Sequence, residues 1–322
     1  AKQSTNISFI PRALERGAFL FTGFRANTLL RRADPGSNAV TGIIAQGCND
    51  NGEAITLTIK ARATVIAMGT LLTPNFLRAN GVHNAWLGNN LSIHPCGAVT
   101  AYFPDRVFAN SNTIPQGFGV YDLKEEGLMF EGGTPPFVAH GMLNPFQAED
   151  FVKFTERYQQ TAYFGLMIKD TSRGKVRRGF SRDLPLIRYN MNAADFTLFK
   201  RGIDLLAKMY LAAGAQEVCI PGLTRMTIVH NEQELAAFWA SNPKPRHFLV
   251  TAYHPLGTSR IGATPTQGVC DSEHKVWGTD GLYVMDGSSV PSSLGANPQV
   301  TIMAMATRAA QMLGEKLSSS TT

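Results

Sequence analysis

Cysteine, charge and long apolar runs are all scarce in this sequence of 322 residues. It has 4 cysteines, and none lies at zinc-site spacing from another cysteine or from a histidine, so a disulfide framework and a structural metal are not expected. Buried free thiols are the simplest interpretation. No apolar stretch approaches the ~20 residues that span a bilayer. Charged residues make up 17% and hydrophobic residues 44%, which is typical of a folded chain with a sizeable core.

Basic residues are also too dispersed for a nucleic-acid-binding protein. The formal net charge is +6, and the densest basic groups are Arg31-Arg32 and the segment 175–182. Nucleic-acid readers usually carry a continuous basic stripe, so no nucleic-acid partner is predicted. An anionic membrane surface stays open as a partner. The opening residues do not resemble an initiator sequence or a signal peptide, and the compartment is unknown.

The apolar periodicity predicts an α/β chain. The predicted elements of the first hundred residues are strands at 28–31, 39–45 and 64–68, a hairpin turn at Asn51-Gly52, and a helix from Thr73-Pro74 to Gly81. The strand at 64–68 is uniformly apolar, which predicts burial on both faces.

The middle of the chain differs in character, being rich in aromatic residues and methionine. One amphipathic helix is predicted there, with apolar residues at Phe196, Phe199, Ile203, Leu206 and Tyr210 and an end at Gly214. The last seventy residues return to short elements: a strand at 282–285, a turn at Asp286-Gly287 and a helix from Asn297-Pro298 to about Gly314, whose apolar start predicts burial. The two ends are therefore predicted to form one domain, with the middle inserted as a second.

Two segments carry candidate chemistry. The first is 251–258, in which His254 precedes proline; a histidine is well suited to take a proton near neutral pH, although in a turn it is often only a structural hydrogen-bonding group. The second leads to Asn297-Pro298. Asparagine followed by proline is ordinary helix capping, but a buried helix start would also stabilise an anion such as a reduced flavin.

Together these segments resemble the glucose-methanol-choline (GMC) family of FAD-dependent oxidoreductases. The histidine motif, the Asp-Gly turn and the Asn-Pro helix follow one another in that family's order. The segment 69–82 is similar to a second family motif, from which Asn80 and His83 depart, and 88–95 to a third. The closest branch holds cholesterol oxidase and the long-chain alcohol oxidases.

The resemblance implies roles for three catalytic residues. His254 corresponds to the active-site histidine and Asn297 to its polar partner. Glu131, in Phe130-Glu131-Gly132-Gly133, is the best candidate for a glutamate that this branch places over the flavin, although a glutamate beside two glycines is otherwise an ordinary loop residue.

The resemblance also implies FAD as the cofactor. Residues implied to contact it are Asp286, Gly287, Asn297, Pro298 and Gln299 at the flavin, and Ala26 at the adenine end. Gln299 departs from the aromatic residue of sterol oxidases, which weakens the sterol interpretation. No metal site is predicted.

The implied fold is α/β (α+β). A discontinuous FAD-binding, Rossmann-like domain is expected at 1–96 and 251–322, and a substrate-binding domain with an antiparallel sheet covered by helices at 97–250. No G-x-G-x-x-G turn, which binds the FAD pyrophosphate, occurs in the chain. The expectation is that only the C-terminal part of the family is present, and that an N-terminal fragment carrying this turn is a partner.

The predicted function is oxidation of the CH–OH group of a hydrophobic alcohol, long-chain or sterol-like, by hydride transfer to flavin N5 with His254 as acid/base. Two alternatives stay open. One is a non-redox family member, similar to a hydroxynitrile lyase, and the other is a degenerate flavin-free fragment. The electron acceptor cannot be inferred from the sequence.

Overall fold

The structure is a computed structural model that describes residues 3–34, 36–108, 118–133, 135–138, 148–181, 183–223 and 226–319. The chain divides into two compact units. The first comprises Ala1–Val65 with Lys275–Tyr283, and the second comprises Ile66–His274 with Val284–Thr322. This division reflects compactness alone, so the FAD and substrate domains expected from the sequence stay predictions.

The described elements make a mixed α/β fold, as predicted. The helices are α1 (Phe9–Glu15), α2 (Gly69–Ala79), α3 (Ala148–Glu156), α4 (Ala193–Ala212), α5 (Glu232–Ala240) and α6 (Gln299–Ser319). The strands are β1 (Arg25–Arg31), β2 (Val40–Cys48), β3 (Ala54–Lys60), β4 (Thr64–Ile66), β5 (Cys96–Tyr102), β6 (Phe118–Val120), β7 (Leu128–Gly132), β8 (Thr161–Ile168), β9 (Lys175–Arg177), β10 (Leu186–Arg188), β11 (Glu217–Ile220), β12 (Thr227–Val229) and β13 (Leu282–Val284).

The first unit is built on an antiparallel sheet in the order β1-β2-β3. The β2–β3 connection turns at Gly52, whose φ of +80° is readily adopted by glycine, so the Asn-Gly hairpin prediction is confirmed. β4, which pairs with β13, differs from its prediction. Val65 is 41% exposed while Thr64 and Ile66 are buried, because in this two-stranded sheet only one face of β4 is covered.

Helix α2 begins four residues before the predicted start at Thr73-Pro74, so that prediction is wrong. The helix starts at Gly69 and contains Pro74 in its interior. Proline has no N–H, and the carbonyl of Thr70 therefore lacks its helical donor. The hydroxyl of Thr258 donates to that carbonyl at 2.6 Å. A side chain far away in the sequence thus makes an interior proline tolerable.

The second unit is organised around a six-stranded sheet in the order β12-β11-β5-β8-β7-β6, with every neighbouring pair antiparallel. Helix α4 packs on one face, and its buried stripe confirms the predicted amphipathic helix. The core on this side includes Val99, Leu128, Phe130, Leu166, Phe199 and Ile203. This is the helix-covered antiparallel sheet that the sequence predicts.

The opposite face of this sheet carries a different set of side chains. Side chains alternate along a strand, so Met129 and Glu131 of β7 point away from the α4 core that holds Phe130. Cys96, Met129 and Met167 form a separate buried cluster on this face. The partners of Glu131 on both neighbouring strands are glycines, Gly119 and Gly165. Neither partner residue carries a side chain, but the ring of Tyr121 occupies the space beside Gly119, where an added Cβ would lie 2.8 Å from it.

Helix α6 begins after Asn297-Pro298 as predicted, but its start is not buried. Val300 is 73% exposed, and Ala309 is the buried residue of this helix among those described. Apolar residues around a helix show that it can be buried, whereas the elements around it decide whether it is. The cysteines are free as predicted; Cys96, Cys219 and Cys270 are buried, but Cys48 is exposed.

Candidate active site

His254 lies in a loop that forms backbone hydrogen bonds on both sides of it with residues 92–96, where the chain enters β5. Ser92 and Leu256 exchange backbone hydrogen bonds of 3.1 and 2.9 Å, and Cys96 and Thr251 exchange bonds of 2.8 and 3.0 Å. These two bridges bracket His254. Every residue of the candidate site described below, apart from Ala26, belongs to the second unit.

The glycine of the histidine motif is required by close packing. Gly257 has a φ of +89°, and a Cβ added there would lie 2.6 Å from the backbone oxygen of Asn90. Only glycine satisfies both conditions. The side chain of Asn90 in turn donates to the carbonyl of Pro291 at 2.9 Å. The histidine motif therefore lies at a tight crossing of two loops.

The imidazole of His254 is half-buried, and its surroundings define its tautomer. Its Nδ1 lies 3.2 Å from the thioether sulfur of Met167. A thioether can only accept, so we assign the proton to Nδ1, which leaves Nε2 as an unprotonated acceptor. Burial lowers the pKa of His254, and the charge of Glu131 raises it in part. A neutral histidine with a free Nε2 is the form required of a general base.

Glu131 and Asn297 are brought into direct contact. The amide of Asn297 donates to the Glu131 carboxylate at 2.8 Å, although 166 residues separate them. Asn297 is exposed at the start of α6, and Glu131 contacts it from the sheet face opposite α4. Of the three predicted catalytic residues, the structure brings Glu131 and Asn297 into contact, and the charge of Glu131 raises the pKa of His254. Their catalytic roles stay predictions.

Asp286 fastens α2 to the turn that follows β13. One oxygen of its carboxylate accepts from the N–H of Gly69 at 2.8 Å and from the hydroxyl of Thr73 at 2.6 Å, and the other accepts from the N–H of Ser288 at 2.8 Å. Thr73, at the predicted start of α2, lies inside the helix and is one of these donors. The role of Asp286 as a flavin contact stays a prediction beside this structural one.

Gly287 is buried where helices and loops come close. An added Cβ would lie 3.1 Å from the Thr70 hydroxyl, 3.2 Å from Ile302 and 3.3 Å from Leu256. These are tighter than ordinary contacts, so a side chain here would push apart the loop of the histidine motif, α2 and α6. The glycine is therefore explained by packing, and its contact with the cofactor stays a prediction.

The start of α6 presents hydrogen-bond donors to whatever lies ahead of the helix. Its first backbone bond runs from the N–H of Ile302 to the carbonyl of Pro298, so the N–H groups of the first turn are directed ahead of the helix. Gln299 and the apolar Val300 are exposed beside them. Donor groups next to an apolar surface suit a ring that becomes negatively charged on reduction. Ala26 lies in β1 of the other unit, opposite Ala45, and its contact with the adenine stays a prediction.

Three residues of this region were not singled out from the sequence. Met167 contacts His254, His94 is hydrogen-bonded to the same loop, and Asp170 accepts the backbone N–H groups of Ile93 and His94 at 3.2 Å each. A signal was available for one of them, because His94 precedes a proline as His254 does. Within the described residues, no group of three or more His, Cys, Asp or Glu side chains is arranged to hold a metal ion.

Two family models match the chain, and both carry the description GMC oxidoreductase. The N-terminal model matches residues 1–96 and the C-terminal model matches residues 170–306, together more than half of the chain. The expectation that only the C-terminal part of the family is present is therefore not borne out. GMC oxidoreductases are FAD-dependent flavoproteins.

Curated relatives agree with the family models. An uncharacterized GMC-type oxidoreductase of Mycobacterium tuberculosis is 30% identical over 310 residues, which are 95% of this chain and 47% of the relative. Long-chain-alcohol oxidase FAO3 of Arabidopsis thaliana is 26% identical over 333 residues, covering 95% of this chain and 44% of that protein. The chain thus spans about half the length of these two relatives.

A solved structure confirms the fold. Pyridoxine 4-oxidase from Mesorbium loti superposes with a TM-score of 0.63 at 20% sequence identity, covering 89% of this chain and 57% of that one. The comparisons lend no support to a membrane surface or to a separate N-terminal fragment as partners. Over the part of the chain that the structure describes, no helix combines the length and the apolar character needed to cross a membrane.

Proposed function

The chain belongs to the family of GMC oxidoreductases, and we propose that it carries the catalytic residues of an FAD-dependent oxidation of the CH–OH group of a hydrophobic alcohol. One observation carries this proposal. The amide of Asn297 meets the carboxylate of Glu131 at 2.8 Å, beside a histidine whose pKa is lowered by burial. These contacts support a site in which Asn297 donates a hydrogen bond to Glu131 and the charge of Glu131 acts on the proton acceptor His254.

Each of these residues has a task in the proposed reaction. FAD, when bound, supplies the hydride acceptor. Nε2 of His254 accepts the proton of the substrate hydroxyl, because its Nδ1 is committed to Met167. The Asn297 amide has two N–H groups, and the one not used by Glu131 is available to hold the hydroxyl oxygen.

Glu131 supports this proton transfer electrostatically. Its charge raises the pKa of His254, which means that it stabilises the imidazolium formed when the histidine takes a proton. It also orients Asn297 through their hydrogen bond. A positioned acid–base group typically contributes ~10²–10⁴-fold to a rate.

The sheet face around Glu131 favours an apolar substrate. Cys96, Met129 and Met167 on this face are buried and uncharged. Met129 and Met167 are each 1% exposed, so they make the surroundings of Glu131 apolar without lining an open channel themselves. The relationship to a long-chain-alcohol oxidase agrees with this assignment. We therefore propose a long-chain primary alcohol, or a sterol of similar hydrophobicity, as the substrate class.

The proposal is tested by mixing the FAD-loaded enzyme anaerobically with dodecanol, a sterol and choline and following the yellow flavin absorbance. We expect the hydrophobic alcohols to bleach it and choline to do so poorly. A yellow enzyme that no alcohol reduces would indicate a non-redox family member, and a colourless one a flavin-free protein.

A histidine substitution completes the test. His254→Ala should lower alcohol turnover by ~10²–10⁴-fold while the flavin stays bound, because the base is lost and the helix start is not. His83→Ala is the matched control, since His83 is exposed in the same unit. Equal turnover in the two variants would refute the assignment of His254.

A further inference from the structure

His94 occupies a place that links the two halves of the candidate site. It is fully buried, at 0% exposure, in the segment bracketed by the two bridges to the His254 loop. Its ring crosses that of His254 edge-on, with centroids 5.8 Å apart and an interplanar angle of 87°. The proposed reaction does not use this side chain directly.

The hydrogen bonds of the His94 ring extend to both sides of the site. Its Nε2 accepts from the backbone N–H groups of Leu294 at 2.9 Å and Gly295 at 3.0 Å. Because Nε2 accepts twice, the proton must lie on Nδ1, which donates to the carbonyl of His254 at 3.3 Å. The ring is thus a neutral bridge from the backbone of His254 to the loop that leads into Asn297.

The neutral state of this bridge agrees with its surroundings. Burial lowers the pKa of His94, and the charge of Asp170 raises it in part. Protonated Nε2 would face two N–H donors, so the bridge exists only while the ring is neutral.

The backbone at His94 is also held in place. Its φ is +50°, which is uncommon for a residue other than glycine. Asp170 accepts the N–H groups of Ile93 and His94, and it also accepts the hydroxyl of Tyr189 at 2.8 Å. Since the backbone and the ring of His94 are both held in place, the ring fixes the distance between the two segments to which it is hydrogen-bonded.

We propose that His94 is a positioning residue that sets the placement of His254 relative to Asn297. This inference rests on the proposed function of the same site. Its ring ties the carbonyl of His254 to the two amides that precede the Asn297 turn. When the ring is removed, the position of His254 relative to the Asn297 amide is no longer fixed by this bridge. A misplacement of about 1 Å can cost ~10²-fold in rate.

The chain offers a matched control in His274. This histidine is also buried, at 1% exposure, and has a φ of +65°. Its Nδ1 donates one hydrogen bond to the carbonyl of Val284 at 2.8 Å. Asparagine tolerates a positive φ at both positions. His94→Asn and His274→Asn therefore make the same substitution at a buried position with a positive φ, but only His94→Asn removes the bridge.

The test compares these two variants in the FAD-loaded, full-length enzyme. We expect His94→Asn to lower kcat by ~10²-fold with a smaller change in KM, and His274→Asn to keep kcat near that of the unsubstituted enzyme. Hydrogen exchange provides a readout that does not depend on turnover. The amides of Leu294 and Gly295 should exchange faster in His94→Asn alone, because they lose their acceptor.

Rescue by small molecules identifies which part of the bridge matters. His94→Gly is unstrained at a positive φ and leaves a cavity of imidazole size. Added imidazole should restore turnover by at least ~10-fold, since it can both accept and donate. 1-Methylimidazole, which cannot donate, should not.

The outcomes separate this inference from the proposed function. Absence of alcohol turnover in the unsubstituted enzyme would refute the function, while the exchange measurement would still decide the bridge. Unchanged exchange at Leu294 and Gly295 in His94→Asn, or a kcat equal to that of His274→Asn, would overturn the role of His94.

Discussion

Thr258 offers a direct test of how the loop carrying His254 is held to α2. We consider Thr258→Val, which replaces a hydroxyl with a methyl group of similar size. The hydroxyl donates to the carbonyl of Thr70 at 2.6 Å, and both residues are buried. The helical donor for this carbonyl would be the N–H of residue 74, which is a proline. Without the Thr258 hydroxyl the carbonyl loses this donor.

The expected cost follows from this geometry. Leaving a buried acceptor without its hydrogen bond costs ~1–3 kcal/mol, so the free energy of unfolding should fall by about that amount. Pro74→Ala returns an N–H in the position that α-helical bonding requires. In the Thr258→Val background it should recover part of the loss, even though removing a proline alone costs ~0.4–1 kcal/mol through the unfolded chain.

Urea denaturation of the four proteins in this double-mutant cycle measures the coupling between the two positions. We expect Pro74→Ala to be less harmful in the Thr258→Val background than in the protein that keeps Thr258. A loss of less than ~0.5 kcal/mol in Thr258→Val, the range of ordinary surface substitutions, would refute the reasoning. Equal effects of Pro74→Ala in both backgrounds would refute it as well.

Three further predictions concern the charge, packing and fastening of the site. Since burial lowers the pKa of His254, kcat/KM for an alcohol should persist below the usual histidine range of about 6.5 and be lost as the pH falls through the lowered pKa. Glu131→Gln removes the charge that raises this pKa, so the acid limb should move to lower pH; an unchanged limb would contradict the coupling. Gly257→Ala should destabilise the second unit strongly in thermal unfolding, because its Cβ would lie 2.6 Å from the oxygen of Asn90 at a φ of +89°; an unshifted midpoint would contradict the packing. Asp286→Asn places an amide against at least one N–H donor and should cost ~1.5–3 kcal/mol in urea unfolding; a stability equal to wild type would show that these bonds contribute little.

Local patterns predicted much of the fold. The stripe from Phe196 to Tyr210 appears as the buried face of α4, and the Asn51-Gly52 turn joins β2 to β3. These features depend on periodicity and turn chemistry within a few residues, which a single sequence displays. The start of α2 was mispredicted because the donor that makes Pro74 tolerable, Thr258, lies far along the chain.

For the candidate site, the sequence named candidate residues, whereas it did not predict the contacts between them. His254, Glu131 and Asn297 were each named from the sequence, yet their relationship was visible only as a resemblance. His94 was included only within the family motif 88–95 and given no role, although its ring is the acceptor for two amides 200 and 201 residues away. The residues next to a histidine in the sequence do not reveal a distant partner of this kind, because hydrogen bonds between distant segments depend on how those segments cross in the fold.

The sequence by itself determined which elements form and which side chains are available. Apolar periodicity marked the buried stripe of α4, and the Asn297-Pro298 pair marked the start of a helix. The tertiary structure alone decided that the Glu131 carboxylate meets the Asn297 amide and that Met167 and His94 hold the His254 ring and loop. The physical reason is that periodicity and capping act between neighbours in the chain. Distances between segments are fixed only when sheet register and close packing exclude the alternative arrangements.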